Sequence, residues 1–129
     1  MDRYQNFELR LPSEEEFNQW FEISLFQQAE DRAFVNNSRM EEELLNLRPL
    51  IAHILPKGKD TPNHYFRVLS VDGIDNVGFI WLGVMPGLDS NEIMLMDIII
   101  KKEYRRQGLG KLMLLEMHKV VKLEGYQRV

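Results

Sequence analysis

Between positions 98 and 111 the sequence sets three isoleucines (Ile98, Ile99, Ile100), five bases (Lys101, Lys102, Arg105, Arg106, Lys111) and two glycines (Gly108, Gly110). Their order suggests chemistry. An apolar run reads as a buried strand, the basic stretch as a turn, and the apolar positions from Leu109 onward as a helix that starts inside that turn. The first N–H groups of a helix have no intrahelical partner and carry the positive end of its dipole. Gly108 and Gly110 lack a Cβ, so the chain can turn tightly and a ligand can come close to the main chain. Arg105, Arg106 and Lys111 bring positive charge to the same point. Such a junction suits a small anion, a diphosphate above all.

Two other phosphate loops fit less well. A Walker loop has Ser or Thr after its Lys, and Leu112 follows Lys111. The dinucleotide fingerprint has a third Gly three residues after the second, where Met113 stands. Glycines and bases alone also describe an ordinary strand-to-helix turn with solvated charges. Asp97 is the single charge in the run 93–100, and a carboxylate in such a strand is paired, functional, or turned to a solvated face. Glu92 sits at the start of the same strand and reads as a solvated strand end. His53, His64 and His118 lie on different elements, without the acidic or cysteine spacing of a metal site, and read as surface or packing residues.

The elements that must position these groups follow from periodicity. Residues 7–11 alternate apolar and polar and then meet Pro12, a short strand. Ser13 and Glu16 form a capping box before an apolar stripe at Phe17, Trp20, Phe21, Leu25 and Ala29, a helix to about residue 33, with Asn36 and Asn37 as its break. Ser38 and Glu41 suggest a second capping box. Leu44, Leu47, Ile51, Ile54 and Leu55 continue on one face, with a kink or a division into two helices at Pro49. Residues 56–62 read as a loop.

From residue 64 the period changes to two. Strands are expected at 64–71 and 77–84 around a turn at 72–76, with a further turn at 86–91. The run 93–100 is so uniformly apolar that it reads as a central strand covered on both faces. A helix over 108–124 should face the sheet with Leu109, Leu112, Met113, Val120 and Leu123, and end at Gly125. Residues 126–129 look like the start of another strand. The order is β-α-α-β-β-β-α-(β).

Length and composition bound the rest. A chain of 129 residues supports one domain, and 44% hydrophobic with 28% charged residues is a globular profile. No apolar stretch is long enough to span a bilayer, and the N-terminus has no signal-peptide pattern, so no membrane partner is expected. Cysteine is absent, which removes disulfides and fits a cytoplasmic location. The net charge of −4 conceals eleven acids against four bases in residues 1–47, and a basic excess concentrated around 101–111. A compact basic cluster in an acidic chain favours a small anion and argues against nucleic acid.

The stretch Arg105-Arg106-Gln107-Gly108-Leu109-Gly110 matches the Arg/Gln-x-x-Gly-x-Gly/Ala signature of the GCN5-related N-acetyltransferases. With Glu103-Tyr104 before it, Lys111-Leu112-Met113-Leu114-Leu115 after it and the element order of residues 1–129, the chain resembles that family. The implied fold is α+β, a GNAT-like mixed but mostly antiparallel sheet flanked by helices, in a single domain over 1–129. The family's fifth strand, fourth helix and closing hairpin would lie beyond Val129, which implies a C-terminally truncated domain. The implied cofactor is acetyl-CoA or another acyl-CoA. Its pyrophosphate would lie on Arg105, Arg106, Gln107, Gly108, Leu109, Gly110 and Lys111, and its pantetheine arm on the main chain of Ile98, Ile99 and Ile100. An N–H near Ile98 would face the thioester carbonyl as an oxyanion donor.

The reaction implied is acyl transfer to a small-molecule or peptide amine, with Asp97 the candidate general base. No residue matches the family's usual tyrosine acid; Tyr104 reads as a packing or cofactor-contacting residue. Trp20, Phe21, Phe26 and Phe34 could line an acceptor slot, although an aromatic stripe at helical spacing is more often core. The alternative is a non-catalytic module that associates, as a homodimer for instance, through an open apolar edge at 93–100.

Overall fold

A computed structural model describes residues 5–84 and 92–126. The expected turn at 86–91 and the start of a strand at 127–129 lie outside the described residues. The described chain forms two compact units, residues 13–62 and the two segments on either side of them. The fold is α+β.

The 13–62 unit is a pair of helices. Helix α1 spans Glu14–Asn36 and opens with the expected reciprocal cap: Glu16 N–H donates to Ser13 Oγ (3.1 Å) and Ser13 N–H to Glu16 Oε1 (3.0 Å). Such a cap stabilises a helix by about 1 kcal/mol. Asn37 ends it in the left-handed region, at φ 50°. Helix α2 spans Met40–Ile54. Its expected capping box does not form. Arg39 is the N-cap and makes no side-chain capping bond, while the Ser38 hydroxyl donates to the buried Glu43 carboxylate (2.7 Å). Pro49 does not divide α2 into two helices. The carbonyl it leaves without a helical N–H belongs to Leu45, an exposed residue, where water can substitute. Arg48 and Glu22 form a two-pronged surface pair between the helices (3.1 and 3.2 Å).

The other unit is a sheet with one helix. Strands β1 (Phe7–Arg10), β2 (His64–Val71), β3 (Ile74–Gly83) and β4 (Met94–Ile100) lie in the order β1-β2-β3-β4, each pair antiparallel. The β2–β3 turn is tighter than the expected 72–76. Val71 faces Ile74, so Asp72 and Gly73 alone make the turn, both at positive φ (48° and 80°). That is the Asp-Gly hairpin whose twist matches that of the strands. The Asp72 carboxylate also accepts the N–H groups of Gln5 and Asn6 (3.0 and 2.7 Å), which ties the start of β1 to the hairpin.

Helix α3 spans Leu109–Leu123. Its buried residues are Leu109, Met113, Met117 and Val121, packed with Leu69, Val71, Val77, Ile80, Leu82, Ile93 and Tyr126. Leu123, expected to face the sheet, is 90% exposed. Met117 and Val121 continue the stripe at the helical period and leave Leu123 on the outer side. Among the described residues no helix is long and apolar enough to cross a membrane.

A further correction concerns β4. Among the described residues it pairs with β3 and with no other strand, so it is an edge and not a central strand. Met94 and Leu95 are exposed, and Ile99 is its one fully buried residue.

Candidate active site

The 98–111 junction forms as a strand, a 3₁₀ turn at Lys102–Tyr104, an exposed bend and α3. Gly108 is the N-cap of α3 with φ 77°, a conformation that disfavours any side chain, and a Cβ there would meet nothing within 4 Å. Arg106 also has positive φ (63°). No side chain caps the helix. Leu112 N–H is bonded to the Gly108 carbonyl (3.1 Å). The N–H groups of Leu109, Gly110 and Lys111 therefore lie in the first turn, where the helix supplies no acceptor. A Cβ on Gly110 would stand 3.7 Å from Ile98 Cδ1, ordinary contact. The chain's own packing thus asks for glycine at 108 through its backbone and allows a small side chain at 110. Arg106 and Lys111 are exposed, Gln107 is half-buried, and Leu109 packs in the core. Tyr104 packs against the same core.

The strand side is more selective than expected. Lys101 N–H donates to the Val77 carbonyl (2.9 Å). Antiparallel partners alternate between exchanging both bonds and exchanging none. Ile99, opposite Phe79, therefore directs its main chain to β3, whereas Ile98 and Ile100 turn theirs to the open edge. Two of these outward groups are engaged. Ile98 N–H donates to Asp97 Oδ1 (2.8 Å), and the Ile100 carbonyl accepts from Arg105 Nε (2.8 Å). Arg105 is thus a strap between the loop and the end of β4, in addition to any charge it offers a ligand.

Asp97 and Ile98 follow a bulge. Asp97 faces Trp81, but Leu95 faces Leu82, so Met96 is an extra residue on β4. Residues opposite each other share a face. Asp97 therefore lies on the sheet face of Trp81 and Phe66, whose rings stack at 5.5 Å, while Ile98 and Ile100 pack against the α3 core. Asp97 is half-buried.

Sequence reasoning passed over one buried polar pair on the Asp97 face. Trp81 Nε1–H donates to His64 Nδ1 (3.0 Å), which leaves the imidazole proton on Nε2. Burial pushes the His64 pKa below its ordinary value and so favours the neutral ring. Gly83, opposite His64, makes this possible, since a Cβ there would collide with the imidazole. A lone histidine entering an apolar strand was the available signal; the glycine across from it becomes visible once the register is known.

On the same sheet, Tyr65 meets Tyr126 edge-on (5.9 Å), and Tyr126 donates its hydroxyl to Asn63 Oδ1 (2.9 Å). Burial, then Tyr126, raises the Tyr65 pKa. Of the four aromatic residues named for an acceptor slot, Trp20 is buried, Phe34 is 88% exposed and Phe26 is exposed. Phe21 lines a cleft of about 190 Å³ with Phe17, Leu25, Arg48, Ile51 and Leu55. Glu92 is half-buried in an isolated bridge; His53 and His118 are exposed.

The sequence profile described as Acetyltransferase (GNAT) family matches residues 9–129. The chain belongs to that family, and it is an enzyme of the N-acetyltransferase type. It is 24% identical over 115 residues to the uncharacterized N-acetyltransferase YycN of Bacillus subtilis (strain 168), covering 89% of this chain and 74% of that one. The uncharacterized N-acetyltransferase YdgE of the same organism is 24% identical over 123 residues, covering 95% and 78%. The crystal structure of Bacillus subtilis YycN superposes with a TM-score of 0.82 at 23% identity, over 95% of this chain and 78% of that one. The aminoglycoside N-acetyltransferase AAC(6')-Iy, solved in complex with CoA, shares the fold more distantly, with a TM-score of 0.52 at 15% identity, over 99% of this chain and 77% of that one.

Proposed function

We propose that this chain transfers an acyl group, acetyl first of all, from acyl-CoA to an amine, acting as one GNAT-like domain over 1–129. The observation that carries the reading is the α3 N-terminus: three first-turn N–H groups behind a glycine at φ 77°, flanked by Arg106 and Lys111 and set beside the outward main chain of Ile98 and Ile100. A pyrophosphate would take the amides of the 105–111 turn, with the charges of Arg105, Arg106 and Lys111 around it. The pantetheine arm would run along β4, using Ile98 and Ile100 and leaving Ile99 to the sheet. That the relative AAC(6')-Iy was solved with CoA supports this choice of cofactor.

Acyl-CoA supplies a thioester, whose carbonyl carbon is the electrophile. Ile98 N–H is the donor offered to the carbonyl oxygen as negative charge grows on it. Asp97, next in the chain, is the base. It takes the proton that the amine nitrogen loses as the C–N bond forms, and the C–S bond breaks to release CoA, whose thiolate is protonated by solvent. The acidic excess of residues 1–47 favours a cationic amine as acceptor.

The same edge could instead receive a second copy of the chain, with the exposed Met94 and Leu95 as contacts. The exposed Arg106 and Lys111 beside that edge favour the cofactor reading, because they offer charge to a pyrophosphate and nothing to an apolar strand.

Thermal unfolding with millimolar acetyl-CoA is the test. Binding to the folded chain at about 100 times Kd stabilises it by roughly 2.7 kcal/mol, a rise of several degrees. Arg106→Ala should weaken that rise. An unchanged melting temperature would overturn the reading.

A further inference from the structure

The sheet has a second edge, at β1. Among the described residues β1 pairs with β2 and with no other strand. One bond sets its phase. Asp72 N–H donates to the Asn6 carbonyl (3.0 Å), and the β1–β2 register, continued by one residue, sets those two opposite each other. Bonded positions alternate with unbonded ones in an antiparallel pair. Glu8 and Arg10 therefore direct their main chain to β2. Phe7 and Leu9 direct theirs outward, as does Leu11 where the alternation continues past the strand. The Leu11 carbonyl accepts from Arg10 Nη1 (3.2 Å) and has a second lone pair for a strand partner. Side chains alternate as well. Phe7 and Leu9 pack against the α3 core, and Leu11, next on that face, is 68% exposed. Glu8 and Arg10 lie on the other face, Glu8 exposed and Arg10 half-buried.

The stretch Phe7-Glu8-Leu9-Arg10-Leu11 is complementary to itself in the reverse direction. A two-fold axis at Leu9 sets Leu9 against the partner's Leu9, Phe7 against the partner's Leu11, and Glu8 against the partner's Arg10. The outward main-chain groups allow only registers that set odd positions against odd ones. The next such register on one side brings Glu8 against the partner's Glu8, and on the other side Arg10 against the partner's Arg10. Like charges directly opposite each other destabilise a strand pair. The register centred on Leu9 sets opposite charges across both junctions. Arg10 also holds Asp75 (3.1 and 2.8 Å), so its pair with the partner's Glu8 selects the register more than it adds affinity.

We infer that β1 is a homodimer interface: two copies of this chain pair antiparallel through β1, about a two-fold axis at Leu9, into one continuous sheet. The contact is isologous, so each outward N–H and carbonyl of Leu9 meets its counterpart on the partner's Leu9. Phe7, Leu9 and Leu11 form an apolar ladder on the α3 side, and Leu11 gains a cover that the single chain does not give it. Charged residues on a short edge strand ordinarily discourage pairing. Here they match at the pairing offset. The β1 edge is the opposite end of the sheet from β4, so the inference stands whether or not β4 holds acyl-CoA.

Sedimentation equilibrium of the full chain is the test. Wild type should show a monomer–dimer equilibrium; a monomer at every concentration up to about 1 mM would overturn the inference. Glu8→Lys sets like charges across both junctions and should raise the dissociation constant about tenfold. Leu95→Lys on β4 should leave it unchanged. A dimer lost with Leu95→Lys and kept with Glu8→Lys would place the partner on the wrong edge and refute the proposal.

A second measurement stands if Glu8→Lys folds poorly. The chain has no cysteine, so introduced thiols report the register without background. An unbonded antiparallel pair holds its Cα atoms about 4.5 Å apart, within disulfide reach. Glu8→Cys mixed with Arg10→Cys should therefore give the mixed disulfide under mild oxidation, and either variant alone should stay reduced. Disulfide dimers of either variant alone, formed as fast as in the mixture, would refute the Leu9-centred pairing.

Discussion

β3 and β4 are neighbouring strands of nearly equal apolarity, and they have opposite fates. Among the described residues β3 is bonded on both sides and buried from Val77 to Gly83, whereas β4 is bonded on one side, with Met94 and Leu95 exposed and its half-buried middle holding Asp97. The apolar character of a strand reports what covers its side chains. It says nothing about what bonds its main chain. The main-chain groups proposed for the pantetheine arm are those that β4 turns away from β3.

The contrast breaks most sharply at the side chains. Trp81→Ala on β3 removes a residue only 1% exposed and should cost about 3–5 kcal/mol in urea unfolding. Leu95→Ala on β4, where the residue is 38% exposed, should stay within about 0.5 kcal/mol. Equal losses would show that β4 is covered in solution.

Two glycines sharpen it further. A Cβ on Gly83 of β3 meets the His64 imidazole, so Gly83→Ala should destabilise by about 1–3 kcal/mol. Gly110 faces β4 across α3 and has room; Gly110→Ala should raise stability by about 0.5–1 kcal/mol through helix propensity. The same unfolding curves decide both.

The smallest effect is a pH dependence confined to the β3 side. His64 has a lowered pKa in the folded chain, so the unfolded chain binds the proton more readily. The neutral ring's contribution is present above the unfolded value of about 6.5 and is lost as pH falls from there toward the folded value. Unfolding of wild type and His64→Asn at pH 7.5 and 5.5 should show a steeper acid loss for wild type. Parallel losses would mean His64 takes up a proton in place.

Much of this could be read in the sequence. Ser13 and Glu16 fix the start of α1, the alternation at 64–71 gives β2, and Gly108 marks the first turn of α3, because each signal is local. The Asp72-Gly73 turn was legible as a turn, yet polar Asp75 and Asn76 hid the first residues of β3. Asp75 is held there by a two-pronged bond from Arg10 of β1 (3.1 and 2.8 Å) and a hydroxyl bond from Ser70, partners that register alone brings together. Ser38 looked like a cap, but Glu43 competed for its hydroxyl. In the site, residue types and order were legible. Which of three consecutive isoleucines faces outward was not, since that depends on where β4 meets β3.

Arg105 makes one observed bond and keeps further donors on the same plane. Its Nε carries the fixed bond to the Ile100 carbonyl, and its two Nη groups remain on the far side of a rigid plane. While that bond is made, the planar guanidinium sets how far its outer nitrogens stand from the last carbonyl of β4. The signature's tolerance of glutamine at this position then has a mechanical meaning, since a glutamine amide can keep an N–H donor on that carbonyl. A lysine would keep the charge and lose the ruler.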